Sequence, residues 1–227
     1  MHLSFVTLFP EIYASFCETS LIKKAVEKSI LHISFVNPRD FTHDKHKQVD
    51  DEIYGGGAWL LIKAQPTIDA VMSIINTHTL HPGGSWKVIF VSPAQTIFNQ
   101  QMAYEYSALD HIIFVSGRYE GIDYRFQQYF TQHYPQNFVT LSLGQFVTLG
   151  GEAPSMVMTE AITRLIPWVI KEEASHLLES YDPTQNMQNL EYPQYTRPEE
   201  VAWMSVPEVL LSGNHAAIEK WRQDNML

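Results

Sequence analysis

Residues 111–123 read HIIFVSGRYEGID. The run His111-Ile112-Ile113-Phe114-Val115 predicts a buried strand, since a short apolar run bounded by turn signals suits a covered parallel sheet. Two glycines, Gly117 and Gly121, then frame Arg118, Tyr119 and Glu120. Charged side chains on a glycine-framed loop after a buried strand point to the edge where open α/β sheets hold ligands. Glycine there lets backbone groups approach a ligand with no Cβ in the way.

Outward from this stretch, strands and helices alternate. Strands are predicted at His2 to Leu8, His32 to Val36, Lys87 to Val91 and Phe138 to Leu143. Helices are predicted to open at Pro10-Glu11, to run from Pro66 to about Ile75, and to cover Asn99 to Leu109, Asp123 to Gln132 and Glu152 to Leu165. Such alternation implies an α/β fold, a mostly parallel sheet with helices on both faces. Three loops then fall at strand carboxyl ends: Ser92-Pro93, Gly117 to Gly121, and the stretch holding Gly144, Gly150 and Gly151. Any one of these is most simply a turn. Three at one edge suggest a cofactor site.

Two stretches carry no regular pattern. Residues 37–58 combine Pro38, mixed charges and Gly55-Gly56-Gly57; residues 167–198 hold Pro167, Pro183, Pro193 and Pro198. The organisation expected is a domain over 1–166, a linker over 167–198 and a short helical domain over 199–227, with helices at Glu199 to Trp203 and Ala216 to Gln223.

Composition bounds the function. The 227 residues are 45% apolar with a net charge of −10, which alone argues against a nucleic-acid partner. The charge is uneven, because residues 39–47 are locally basic and acids gather in 172–200. No apolar run approaches the ~20 residues of a membrane helix, no signal-peptide pattern opens the chain, and Cys17 is the only cysteine. A cytoplasmic protein with no membrane partner is expected. The dinucleotide, phosphate-loop, nucleophile-elbow and zinc-protease motifs are missing, which disfavours an ordinary nucleotide-dependent oxidoreductase. His43, Asp44, His46, Asp50 and Asp51 match no closed zinc set, so no metal is expected.

The irregular segments carry a more specific signal. LFPEIY, NPRDFTHDKHKQVDDEIYGGG, GRYEGID, GQFVTLGGE, RLIP, YPQYTRPE and VPEVLLSGNHAAIEKWR occur in that order from end to end. In these the chain resembles the bacterial tRNA (guanine-37-N1) methyltransferases, S-adenosylmethionine enzymes of the SPOUT class. The resemblance implies a deep trefoil knot at the carboxyl end of the sheet, a homodimer whose active site is shared between chains, and a truncated form of the helical domain over 199–227. It implies that S-adenosylmethionine lies against Pro93, Gly117, Tyr119, Glu120, Gly121, Leu143, Gly144, Gln145, Phe146, Val147, Thr148, Gly150 and Gly151. It also implies contact of tRNA bearing guanine 37 with Arg39, Lys45, Lys47, Asp50 and Gly57. Arg118 is open to a hydrogen-bonding role within the knot or to ligand contact.

Guanine N1 carries a proton and is a poor nucleophile until it leaves. A carboxylate, with an ordinary pKa of about 4, must be helped by stabilising the negative charge that builds on O6. The resemblance implies Arg164 as the O6 stabiliser and Glu179 as the base. Glu179 stands where the family has aspartate, Gln145 where it usually has aspartate, Leu149 where it usually has serine, and Ala58-Trp59 where it has a Pro-Gly turn. The alternative reading of these departures is a catalytically weakened homologue that binds cofactor or RNA without useful turnover.

Overall fold

The computed structural model describes residues 1–56, 59–77, 83–94, 96–170, 180–181 and 190–226. The chain divides into two compact units, Met1–Lys171 and Glu172–Leu227. Along the first run strands β1 (His2–Val6), β2 (His32–Val36), β3 (Asp50–Glu52), β4 (Leu60–Ile62), β5 (Trp86–Val91), β6 (His111–Ser116) and β7 (Phe138–Leu141). Helices α1 (Ala14–Cys17), α2 (Ser20–Glu27), α3 (Ala64–Asn76), α4 (Gln100–Ser107), α5 (Arg125–His133) and α6 (Glu152–Thr163) accompany them.

Five strands form one parallel sheet in the order β2-β1-β6-β5-β7. Every residue of β6 is buried, and the pleat explains why. Ile112 and Phe114 pack with Leu3, Phe5, Met158 and Ile162 on one face, while Ile113 and Val115 pack with Val71, Phe126 and Phe130 on the other. Successive side chains of a strand point to opposite faces, so a strand covered twice must be apolar throughout. Phe5 is paired in register with Phe35 and Phe114, and its ring stacks on both at 5.6 and 5.5 Å.

Two elements depart from the expected pattern in this unit. Residues 37–58 are not wholly irregular: Asp50–Glu52 pairs antiparallel with Leu60–Ile62, and Pro38–Phe41 forms a short 3-10 turn capped by the Asn37 side chain. Pro66 sits in the first turn of α3, where its missing N–H is no loss.

At the amino edge of the sheet, His2, His32 and His111 share one register row across β2, β1 and β6. The His2 ring stacks on His32 at 4.6 Å and lies 5.6 Å from His111. His111 is 2% exposed, with Nε2 2.8 Å from the Ser4 hydroxyl and Nδ1 without a hydrogen-bond partner. Burial, with the nearby His2 ring and N-terminal ammonium, lowers its pKa to about 4.

The second unit holds β8 (Glu200–Val201) and β9 (Met204–Ser205), an antiparallel pair, then α7 (Glu208–Leu211) and α8 (His215–Asp224). The helix expected at Glu199 to Trp203 is instead this hairpin. Its two turn residues, Ala202 and Trp203, have φ of 48° and 66°, the signature of a turn that ordinarily takes Asn or Gly. Tyr192 and Tyr195 pack around Trp221 of α8, and Arg222 lies over the Tyr192 ring at 5.0 Å. Among the described residues no helix is long and apolar enough to cross a membrane.

Candidate functional site

The carboxyl ends of β5, β6 and β7 open into a cavity of about 320 Å³. Of the residues singled out from the sequence, Pro93, Gly117, Tyr119, Glu120, Gly121, Leu143, Phe146, Val147, Thr148, Gly150 and Gly151 line it together. Gly144 and Gln145 stand on the same loop but outside the lining. The lining adds Phe90, Val91, Ser92, Arg118, Ser142, Leu149 and Pro154. The last residues of β5 follow from simple geometry, since strands that end at a cavity offer it their terminal side chains. The volume lies at the lower end of the usual range for small-ligand sites.

Backbone contact shapes this cavity more than side chains do. Gly151 N–H donates to the Gly117 carbonyl at 3.0 Å. A Cβ on Gly151 would stand 2.8 Å from the Ser116 Cα, too close for any other residue without backbone movement. Gly121 has φ of 106°, a conformation that favours glycine. Tyr119 holds φ of 58°, a left-handed backbone uncommon for a bulky residue. Strain of that kind concentrates at ligand sites.

Beneath the cavity, Arg118 lies over the Phe9 ring at 5.0 Å and sets Nε 2.9 Å from Glu152 Oε2. Glu152 is 1% exposed and opens α6. Its other oxygen accepts from the Thr7 hydroxyl at 2.8 Å. Nε and Oε2 are close but poorly aligned, and neither has a straight hydrogen bond; the attraction is that of two charges in a weakly screened place. Tyr13 hydroxyl continues the network to Ser155 at 2.7 Å and Ser116 at 3.3 Å, with its pKa raised to about 12, mainly by burial. Arg118 therefore ties the loop after β6 to the start of α6, and it also touches the cavity. An acid in the first turn of a helix reads in sequence as a dipole partner; nothing local announces an arginine across the fold.

The strand β4 is laced to the same loop. Glu120 N–H donates to Leu60 O at 3.3 Å, Ile62 N–H to Gly121 O at 3.0 Å, and Asp123 N–H to Ile62 O at 2.9 Å. The β3–β4 hairpin thus forms one rim of the site. Upstream, Lys47 pairs with Asp40 at 3.0 Å, and Asp50 lies in β3. Lys45 is exposed and Arg39 half-buried. Gly57 and Glu179 lie outside the described residues. Arg164, at the carboxyl cap of α6, is away from the glycine-lined cavity and lines a separate one of about 520 Å³ with Phe16, Leu21, Glu160 and Val169.

A parallel α/β sheet whose carboxyl-end loops border a glycine-lined cavity has the arrangement at which open α/β folds ordinarily hold ligands. The model of the family described as tRNA (Guanine-1)-methyltransferase TrmD matches residues 1–227, and the chain belongs to that family. The chain is 46% identical to a tRNA (guanine-N(1)-)-methyltransferase of Mycoplasmopsis agalactiae over 224 residues, 99% of this chain and 91% of that protein. It is 41% identical to the protein of the same name from Clostridioides difficile, covering 100% and 93% of the two. For that of Bacillus pumilus the identity is 40%, over 100% and 87%.

Proposed function

We propose that this protein transfers a methyl group from S-adenosylmethionine to N1 of guanine 37 in tRNA. The observation that carries the reading is the cavity at the carboxyl edge, lined by the glycine-bearing loops of a chain that belongs to a tRNA methyltransferase family. The residues present fit the cofactor. Phe90, Val91, Leu143 and Pro154 offer apolar surface, Gly117 and Gly121 expose backbone, and Glu120 supplies a carboxylate for a cation. S-adenosylmethionine, when bound, supplies an activated methyl group. The chain's own part is to orient the guanine and remove its N1 proton.

Arg164 stabilises the charge that builds on O6, and Glu179 takes the proton. Arg164 is not among the residues that line the cavity of its own chain, which supports a homodimer in which each active site draws on both chains. The exposed apolar residues Phe146, Val147 and Leu149 on the cavity loop are in keeping with that assembly. The close approach of Gly151 to Ser116 and Gly117 suits a trefoil knot in the segment from β6 to α6. Residues 39–57 contact tRNA, residues 167–198 act as a linker ahead of a helical domain, and the enzyme works in the cytoplasm.

The test is transfer of labelled methyl from S-adenosylmethionine to an unmodified tRNA transcript. Wild type incorporates label. Glu179→Gln and Arg164→Ala lose most of it while keeping cofactor affinity by calorimetry, and Glu179→Asp retains it. The competing candidate is Asp182, three residues on in the same linker: wild-type turnover in Glu179→Gln removes Glu179 as base, and loss confined to Asp182→Asn moves the role to Asp182.

A further inference from the structure

Trp59 is 66% exposed and immediately precedes β4. It is not on a free loop, because the Leu60 carbonyl beside it accepts from the Glu120 amide at 3.3 Å and Ile62 is bonded on both sides to the 121–123 segment. Trp59 thus stands one residue before a strand that is hydrogen-bonded to residues 120–123, and Tyr119, next to that segment, lines the cavity and is 50% exposed. Tyr54 and Tyr124, on the same two segments, are 94% and 66% exposed. Tyr54, Trp59, Tyr119 and Tyr124 thus leave large aromatic rings exposed on two segments that are hydrogen-bonded to each other. The charges beside the ring do not favour phosphate. Between Arg39 and Lys63 stand four lysines and arginines against five aspartates and glutamates, and Lys47 and Lys63 are paired with Asp40 and Asp51 at 3.0 and 3.2 Å. With phosphate attraction left to Lys45 and Lys47 upstream of the hairpin, the chemistry the rim itself offers RNA is the flat ring, which stacks on any unpaired base.

We propose that Trp59 is the platform on which an unpaired base of the RNA substrate stacks at the mouth of the cavity. This rests on the methyltransferase reading for the identity of the RNA. The test is binding of a tRNA anticodon stem-loop to wild type, Trp59→Ala and Trp59→Phe, by fluorescence anisotropy at several salt concentrations. Loss of one stacked base weakens binding by about five- to a hundredfold. The expected result is that loss in Trp59→Ala, recovery of most of it in Trp59→Phe, and the same salt slope in all three. Cofactor affinity and thermal midpoint stay at wild-type values. Wild-type affinity in Trp59→Ala, or a changed salt slope with no recovery in Trp59→Phe, overturns the proposal. Binding lost in Trp59→Ala by a wild type that methylates nothing leaves the stacking role standing and defeats the methyltransferase reading instead.

Discussion

Arg118 and Glu152 are 34 positions apart in the chain and meet with Nε 2.9 Å from Oε2 beneath the cavity. The pair joins the loop after β6 to the first residue of α6, and Thr7 holds the far oxygen of the same carboxylate. Both elements that wall the cavity are therefore fixed by one buried charge contact.

Removing one partner of such a pair leaves an uncompensated charge and costs about 3–5 kcal/mol. Glu152→Ala should lower stability by that order in urea denaturation. Replacing both residues with apolar ones, Arg118→Leu with Glu152→Leu, should cost less than the two single changes added together. Strictly additive losses would mean that the two side chains are not coupled.

The glycines of the cavity differ in what they tolerate. A Cβ on Gly117 meets atoms no nearer than 3.5 Å, whereas one on Gly151 meets the Ser116 backbone at 2.8 Å. Gly117→Ala should fold with little loss of stability, and Gly151→Ala should lose part of its stability and, with the loop displaced, most of its S-adenosylmethionine affinity. Calorimetry that ranks the two in the opposite order would contradict this account of the loop.

Much of the sheet was legible in the sequence because burial on two faces demands apolar runs, as in His111–Ser116. The glycine loops were legible for the same reason, since they follow those runs. The β3–β4 hairpin was not, because Asp50, Asp51 and Glu52 have none of the residue types that favour strands; pairing, not propensity, holds them. The β8–β9 turn carries no local signal either, because Ala202 and Trp203 are neither Gly nor Asn. The Arg118–Glu152 contact depends on how the chain returns to the edge of β6, which no local pattern encodes.

His111 gives a pH dependence of definite sign. Its folded pKa, about 4, lies below the ordinary value near 6.5, so the neutral ring is the folded form. Its contribution is fully present above pH ~6.5 and is lost as pH falls toward 4, with a slope of about 1.4 kcal/mol per pH unit for the one proton involved. His111→Gln should flatten that acid limb in denaturation curves at pH 4–6.5. An unchanged limb would assign the acid sensitivity to other groups.

The basic stretch offers a separate reading of RNA contact. Lys45 and Lys47 are exposed, and only Lys47 is held to an acid, Asp40. Changing both lysines to alanine should weaken tRNA binding and reduce its salt slope by about 1 to 2. An unaltered slope would remove these residues from the interface.

The central claim is methyl transfer to one atom of one nucleoside, and its most direct measurement is mass spectrometry of nucleosides and fragments from tRNA treated with the purified protein and S-adenosylmethionine. The account predicts 1-methylguanosine at position 37 of a transcript with guanine there, and none in the matching transcript with adenine. No methylated nucleoside in either transcript, or a methyl group on another atom or another position, would contradict it.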